Sequence, residues 1–227
     1  MSSLTNICFD IETIRAFEQL KDAPDQTQVA WTNFAERRFP EMEPGAAYHE
    51  KAGLYPEFGN IVCISALKKG EGVVSFALDD AIPAKDREST LLRKFVAYVT
   101  KEGNFRFVGH NIKKFDIPYV NIRLVANKMA LPNSFKMYGV KPWEMKHWDT
   151  LDIWTGGVYG SSQAKGLEVV CDVLGIESPK SEFSGAQVAD MYYSSDPERM
   201  DKISKYCERD VLSTATALSL MFKYGML

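Results

Sequence analysis

Apolar residues recur at a strand's period in the first half of the chain and at a helix's period in the second. Over residues 4–12, Ile7, Phe9 and Ile11 alternate with Cys8, Asp10 and Glu12, which sends the two sets to opposite faces of a sheet. This predicts a buried strand with two carboxylates on one face, their Cα atoms about 6.6 Å apart at the usual strand rise. Residues 60–67 and 72–78 read as two more strands, and Lys68-Lys69-Gly70-Glu71 between them is a hairpin turn. Leu91, Leu92, Phe95, Val96 and Val99 are spaced for a helix over 86–101, which Gly103-Asn104 stops before a short strand at 105–108. A second helix begins near Asp116 and runs through Tyr119, Val120, Ile122, Leu124 and Val125. Pro118 falls in its first turn, where no amide hydrogen is needed.

The pattern is weaker in two places. Residues 15–59 hold Trp31, Phe34, Arg37, Arg38, Phe39 and Tyr48 without a clear period. An insertion this long is expected to contain short helices and to overhang a site. Residues 129–164 are mixed, and His147-Trp148-Asp149-Thr150 suggests a last short strand followed by a turn. Helical spacing returns over 166–174, 186–193 and 197–222. Strands that alternate with helices and then give way to them predict one α/β domain spanning 1–227.

Composition narrows the chemistry. With 227 residues, 45% apolar and 25% charged, the chain has the proportions of a globular protein with a substantial core. It has no apolar run long enough to cross a membrane and no signal-peptide pattern at its start, so the cytoplasm is the expected location. Cys8, Cys63, Cys171 and Cys207 lie far apart, and His49, His110 and His147 form no helical pair; neither a zinc site nor a disulfide framework is expected. The phosphate-loop, dinucleotide and nucleophile-elbow glycine patterns are missing, which excludes nucleotide-driven motors, dehydrogenases and serine hydrolases of those types. A net charge of −3 argues against tight wrapping of duplex nucleic acid but leaves a narrow single-strand cleft open.

Candidate chemistry rests on acids in three separated segments: Asp10 and Glu12 on the first strand, Asp116 at a helix start, and Asp210 on the last helix. Each has an ordinary reading alone. A strand end carries solvent-facing charge, and Asn111 and Asp116 precede or open a helix, where such residues commonly cap. Taken together they suit a site for two hard cations, which prefer carboxylate oxygen and can neutralise a phosphodiester while activating water. Tyr206 and Asp210, four residues apart on one helix, face the same way, so the tyrosine hydroxyl is placed to orient an attacking water. Lys113-Lys114 and Arg37-Arg38 read equally well as solvated surface. Of Trp143, Trp148 and Trp154, at least two are expected in the core.

These segments resemble the three motifs of the DnaQ-like, or DEDD, 3′→5′ exonucleases. The last is of the tyrosine subtype, since Tyr206 has the tyrosine spacing and Lys205 stands where the other subtype has His. Residues 54–65, the Lys165-Gly166-Leu167-Glu168 stretch, Leu174-Gly175-Ile176 and Ser178-Pro179-Lys180 are similar to the exonuclease domain related to family B DNA polymerases. The resemblance implies a ribonuclease H-like α/β fold with a mixed sheet of about five strands between helices, in a free-standing nuclease. It also implies that Asp10, Glu12, Asp116 and Asp210 hold two Mg²⁺ or Mn²⁺ ions and that Asn111, Phe115 and the backbone at Ile11 and Thr13 meet the terminal nucleotide, with Lys180 near a phosphate. The expected partner is nucleic acid, single-stranded DNA before RNA, and the expected product is a nucleoside 5′-monophosphate. An exoribonuclease or oligoribonuclease, or an inactive binding module on the same fold, are the alternatives. Protein partners are left open by the sequence.

Overall fold

The computed structural model describes residues 4–101, 103–141, 144–157, 165–177 and 185–227. Trp143, Lys180 and the rest of the 178–184 stretch lie outside them. Five strands form one mixed sheet: β1 (Thr5–Arg15), β2 (Gly59–Lys68), β3 (Val73–Ala77), β4 (Phe105–Gly109) and β5 (Trp148–Asp149), in spatial order β3-β2-β1-β4-β5. The hairpin partners β2 and β3 are antiparallel to their neighbours, while β4 and β5 run parallel to theirs. Gly70, at φ +87°, makes the turn between β2 and β3.

The helices are α1 (Asp25–Arg38), α2 (Pro44–Lys51), α3 (Ala84–Thr100), α4 (Asp116–Ala126), α5 (Thr150–Trp154), α6 (Leu167–Leu174), α7 (Val188–Tyr193) and α8 (Arg199–Lys223). Alternation along β1 divides the packing between the two faces of the sheet. Ile7, Phe9 and Ile11 join the core built with Leu91, Leu92 and Phe95 of α3 and Tyr119, Val120 and Leu124 of α4. Cys8 points the other way, among Val108, Val211 and Leu218, so α8 covers that face. Among the described residues no helix is long and apolar enough to cross a membrane.

Three features add to or differ from the sequence expectation. β1 runs on to Arg15, because Ile14 is buried and the Arg15 guanidinium has partners: its Nε donates to the Glu18 carbonyl at 2.8 Å and Nη1 lies 2.9 Å from Asp190. The 15–59 insertion contains helices as expected, but α1 runs to 14 residues, and it and α2 pack around Trp31, Tyr48, Phe34, Tyr55 and Phe58. In α4, Ile122 and Val125 are exposed while Tyr119, Val120 and Leu124 face the core.

Two buried ties join these layers. The Arg123 guanidinium grips both carboxylate oxygens of Glu88 at 2.9 and 2.6 Å and also donates to the Pro56 carbonyl and Asn60. Glu88 in turn accepts from Ile61 N–H and from Asn127. The Tyr119 hydroxyl donates to the Gly53 carbonyl, and a Cβ on Gly59 would lie 2.2 Å from that hydroxyl, so only glycine fits there.

Candidate active site

β1 and β4 pair only from Thr5 to Cys8 and from Phe105 to Val108, after which the chain turns away at Gly109. A Cβ at Gly109 would sit 2.6 Å from the Ile112 side chain, so the turn needs glycine. Asn111 follows with φ +60°, a left-handed conformation that asparagine tolerates better than most residues. The loop then closes on itself, with the Lys114 and Phe115 amides donating to the Asn111 carbonyl. It delivers Asp116, the first residue of α4, back to β1, where Oδ1 accepts the Ile11 N–H at 3.2 Å. The crevice lies beyond the C-terminal end of a parallel strand pair, where β1 loses its parallel neighbour β4 and keeps antiparallel β2 on its other side. Open α/β sheets commonly bind ligands at such positions.

α8 closes the crevice over the face that bears Asp10 and Glu12. The Cys207 thiol donates to the Asp10 carbonyl at 3.4 Å and lies 3.7 Å from Oδ2 of the same residue. Ligand atoms of Asp10, Glu12 and Cys207 all fall within 4.8 Å of one another. Farther across the sheet, Ser204 meets Cys63, and the Ser75 hydroxyl donates to Glu208 at 2.7 Å, which fixes the helix against β2 and β3. This places Tyr206 and Asp210, one helical turn apart, toward the same pocket.

The tight group of ligand atoms is Asp10, Glu12 and Cys207, and Asp116 and Asp210 lie near enough for their charges to act on the two strand acids. Asp10 is raised well above the ordinary carboxyl range, first by burial and then by the negative charges of Asp116, Asp210 and Glu12. Burial followed by Asp210 raises Glu12 in the same way. Asp116 is pushed up to about 8, with burial the largest cause and Asp149 and Asp210 adding to it against backbone hydrogen bonds that pull it down. Tyr206, nearly buried, is also raised by burial and then by Asp210, Glu12 and Asp10, while the Gly185 amide donates to its hydroxyl. At neutral pH this phenol keeps its proton.

Of the remaining candidates, Asn111 and Phe115 lie on the loop at the crevice, both half-buried, with Phe115 tilted against the Tyr119 ring at 5.5 Å. Ile11 borders the crevice, but its N–H already serves Asp116. The Thr13 side chain is hydrogen-bonded to Tyr119. Lys180 lies outside the described residues. Lys113 pairs with Asp152 at 3.3 Å and Lys114 is exposed. Trp148 packs between the Arg106 guanidinium and Phe222, away from the acids, and Trp154 packs with the Val170, Ala217 and Met221 cluster.

Sequence reasoning missed two neighbours of the site. Cys207 stands in the sequence only as one of four scattered cysteines, although its place three residues before Asp210 on a helix puts both on one side. Asp149 was read only as part of a short strand, yet its buried carboxylate accepts N–H groups from Asn111, Lys113 and Leu151. Only an Asp directly before a short helix hinted at a capping role.

The strongest influences on Asp10 after burial are three acids, with no basic side chain among them. Four carboxylates gathered in this way fit divalent cations, which prefer hard oxygen donors.

No curated protein matches the sequence. A family model described as "Predicted 3'-5' exonuclease related to the exonuclease domain of PolB" matches residues 54–223. Among solved structures, the family B DNA polymerase from the hyperthermophilic archaeon Pyrobaculum calidifontis is similar, with a TM-score of 0.63 and 18% identity over 99% of this chain and 25% of that one. This chain therefore spans about a quarter of the polymerase's length. At this identity the likeness speaks for the fold, a ribonuclease H-like α/β sheet flanked by helices.

Proposed function

Because this chain belongs to the family of predicted 3′-5′ exonucleases related to the exonuclease domain of PolB, we propose that it removes nucleotides from the 3′ end of DNA, single-stranded by preference, and releases nucleoside 5′-monophosphates. The observation that carries this reading is the convergence of Asp10, Glu12, Asp116 and Asp210, whose charges act on one another beside a buried tyrosine. We take residues 1–227 as one exonuclease domain. The α1–α2 insertion belongs to it, tied in by the Arg15 guanidinium on the Glu18 and His49 carbonyls and by Tyr119 with Gly53. Four unpaired, buried cysteines suit a reducing compartment such as the cytoplasm.

Asp10, Glu12 and Asp210 would hold one divalent ion, Mg²⁺ or Mn²⁺, and Asp10 with Asp116 a second. Such a pair supplies charge neutralisation at the phosphate and lowers the pKa of water. The chain's own groups supply position. Tyr206, protonated at neutral pH, donates a hydrogen bond that orients the attacking water rather than removing its proton. Water attacks the phosphorus of the terminal nucleotide and gives up a proton to solvent, the bond to the 3′ oxygen of the preceding nucleotide breaks, and that oxygen takes a proton from solvent to leave as a 3′-hydroxyl. Asn111 and Phe115, presented by the loop before α4, flank the terminal nucleotide, Phe115 offering a ring face for stacking. Lys180 is assigned to a backbone phosphate.

Digestion of 5′-labelled DNA and RNA, single- and double-stranded, with Mg²⁺ or Mn²⁺ and with an EDTA control, tests the reading. The expected result is a descending ladder on single-stranded DNA that EDTA abolishes. Asp10→Ala is expected to lose it by at least about 10³-fold, the scale of a lost transition-state charge contact. Tyr206→Phe is expected to lower turnover about 10- to 100-fold with Mn²⁺ binding retained. Full activity in Asp10→Ala overturns the assignment; a ladder confined to RNA moves the substrate to ribonucleotides.

A further inference from the structure

Asp149 ends β5, whose pairing with Val108 and Gly109 fixes it to the sheet beside the strand that leads into the crevice. Its carboxylate is 1% exposed. One bond, from Leu151 N–H at 3.0 Å, caps α5. The other two reach across the chain to the loop, from Asn111 N–H at 2.8 Å to Oδ1 and from Lys113 N–H at 3.1 Å to Oδ2. The Lys113 ammonium goes instead to Asp152. The next residue grips the same loop, since the Thr150 hydroxyl lies 3.0 Å from Nδ1 of His110. A buried carboxylate that receives three backbone amides is an anchor for chain geometry, and the geometry it anchors includes a left-handed Asn111.

We propose that Asp149 is a positioning residue of the nuclease site, holding residues 110–115 in the shape that presents Asn111 and Phe115 to the terminal nucleotide and brings Asp116 to the Ile11 amide. The proposal rests on the exonuclease reading. Asparagine at position 149 keeps the size of the side chain but sets an NH₂ group against one of the loop amides, so at least one of the two cross-chain bonds is lost. The loop is then free to depart from its strained turn. Asp152, one helical turn onward and bonded only to the Lys113 side chain in this loop, provides the control for charge alone.

The test compares the full chain with Asp149→Asn and Asp152→Asn, measuring KM and kcat on a 5′-labelled oligonucleotide, Mn²⁺ binding, and amide hydrogen exchange. In Asp149→Asn, KM is expected to rise at least about tenfold and exchange over 110–115 to quicken at least about a hundredfold, with exchange in β1 and α8 unchanged. Asp152→Asn is expected to match the unmodified chain in each. A merely structural role would lower apparent kcat through the folded fraction and leave KM alone, and that result overturns the proposal, as does a KM within twofold of the unmodified chain. Should Asp149→Asn not fold, Asp149→Ser keeps an oxygen able to cap Leu151 but too short to serve both loop amides. It is expected to show the same rise in KM, and an unchanged KM there overturns the proposal. If the unmodified chain degrades no substrate, the exonuclease reading fails independently, and unchanged loop exchange in Asp149→Asn would then refute the anchor as well.

Discussion

At the scale of single residues, the acids oppose the fold they belong to, and the proposed cations would relieve that opposition. Asp116 is pushed up to about 8 from an ordinary 3.8, and Asp10 and Glu12 move the same way, chiefly through burial. Between those limits the folded chain retains protons that the unfolded chain has released. Stability is therefore full below the unfolded value and falls as pH rises through the folded one. In EDTA, the urea midpoint is expected to decline from about pH 5 to about pH 8, saturating Mg²⁺ to remove most of that decline, and Asp116→Asn to flatten it; a midpoint that climbs over this interval contradicts the assignment. The carboxylates were legible because period two on a strand and a four-residue step on a helix fix directions without coordinates. Asp149 was not, because its partners are backbone amides 36 and 38 residues away and peptide N–H groups leave no trace in a sequence.

At the scale of elements, long amphipathic segments were readable and the insertion was not. α3 and α8 turn apolar stripes to the sheet, as their spacing predicted. In α1 only Trp31 and Ala35 are buried, too few to set a period, and the helix is held by a ring cluster rather than by a stripe. Trp31 is the centre of that cluster, fully buried, with Tyr48 at 5.3 Å, Phe58 at 4.9 Å and its indole N–H on the Pro44 carbonyl at 2.8 Å. Trp31→Ala is expected to destabilise the chain by about 3–5 kcal/mol, measured by urea unfolding, and to loosen α1 and α2 first in hydrogen exchange. A change below about 1 kcal/mol would mean the insertion is held by something else. The exposed Ile122 and Val125 show the opposite error, apolar residues that fit a helical period and yet face outward.

At the scale of the whole molecule, the mixed sheet of about five strands and its helical flanks followed from the resemblance, but the strand order and the tie that locks the layers together did not. Glu88 gathers Arg123 and Asn127 from α4 and its C-terminal end, and the Ile61 amide from β2, in a buried polar knot. Glu88→Ala leaves the guanidinium uncompensated and is expected to cost about 3–5 kcal/mol, whereas the apolar pair Glu88→Leu with Arg123→Met is expected to cost much less; urea midpoints compare the two, and equal losses would deny the pairing its role. The central position of β1 has a different consequence. Asp10 and Glu12 ride on a strand with β2 along one side and β4 at its start, so only melting the sheet can scatter them. Under the proposed function, control over catalysis would then act at the rim, on the loop before α4 or on α8, where the remaining acids can shift while the strand stays still.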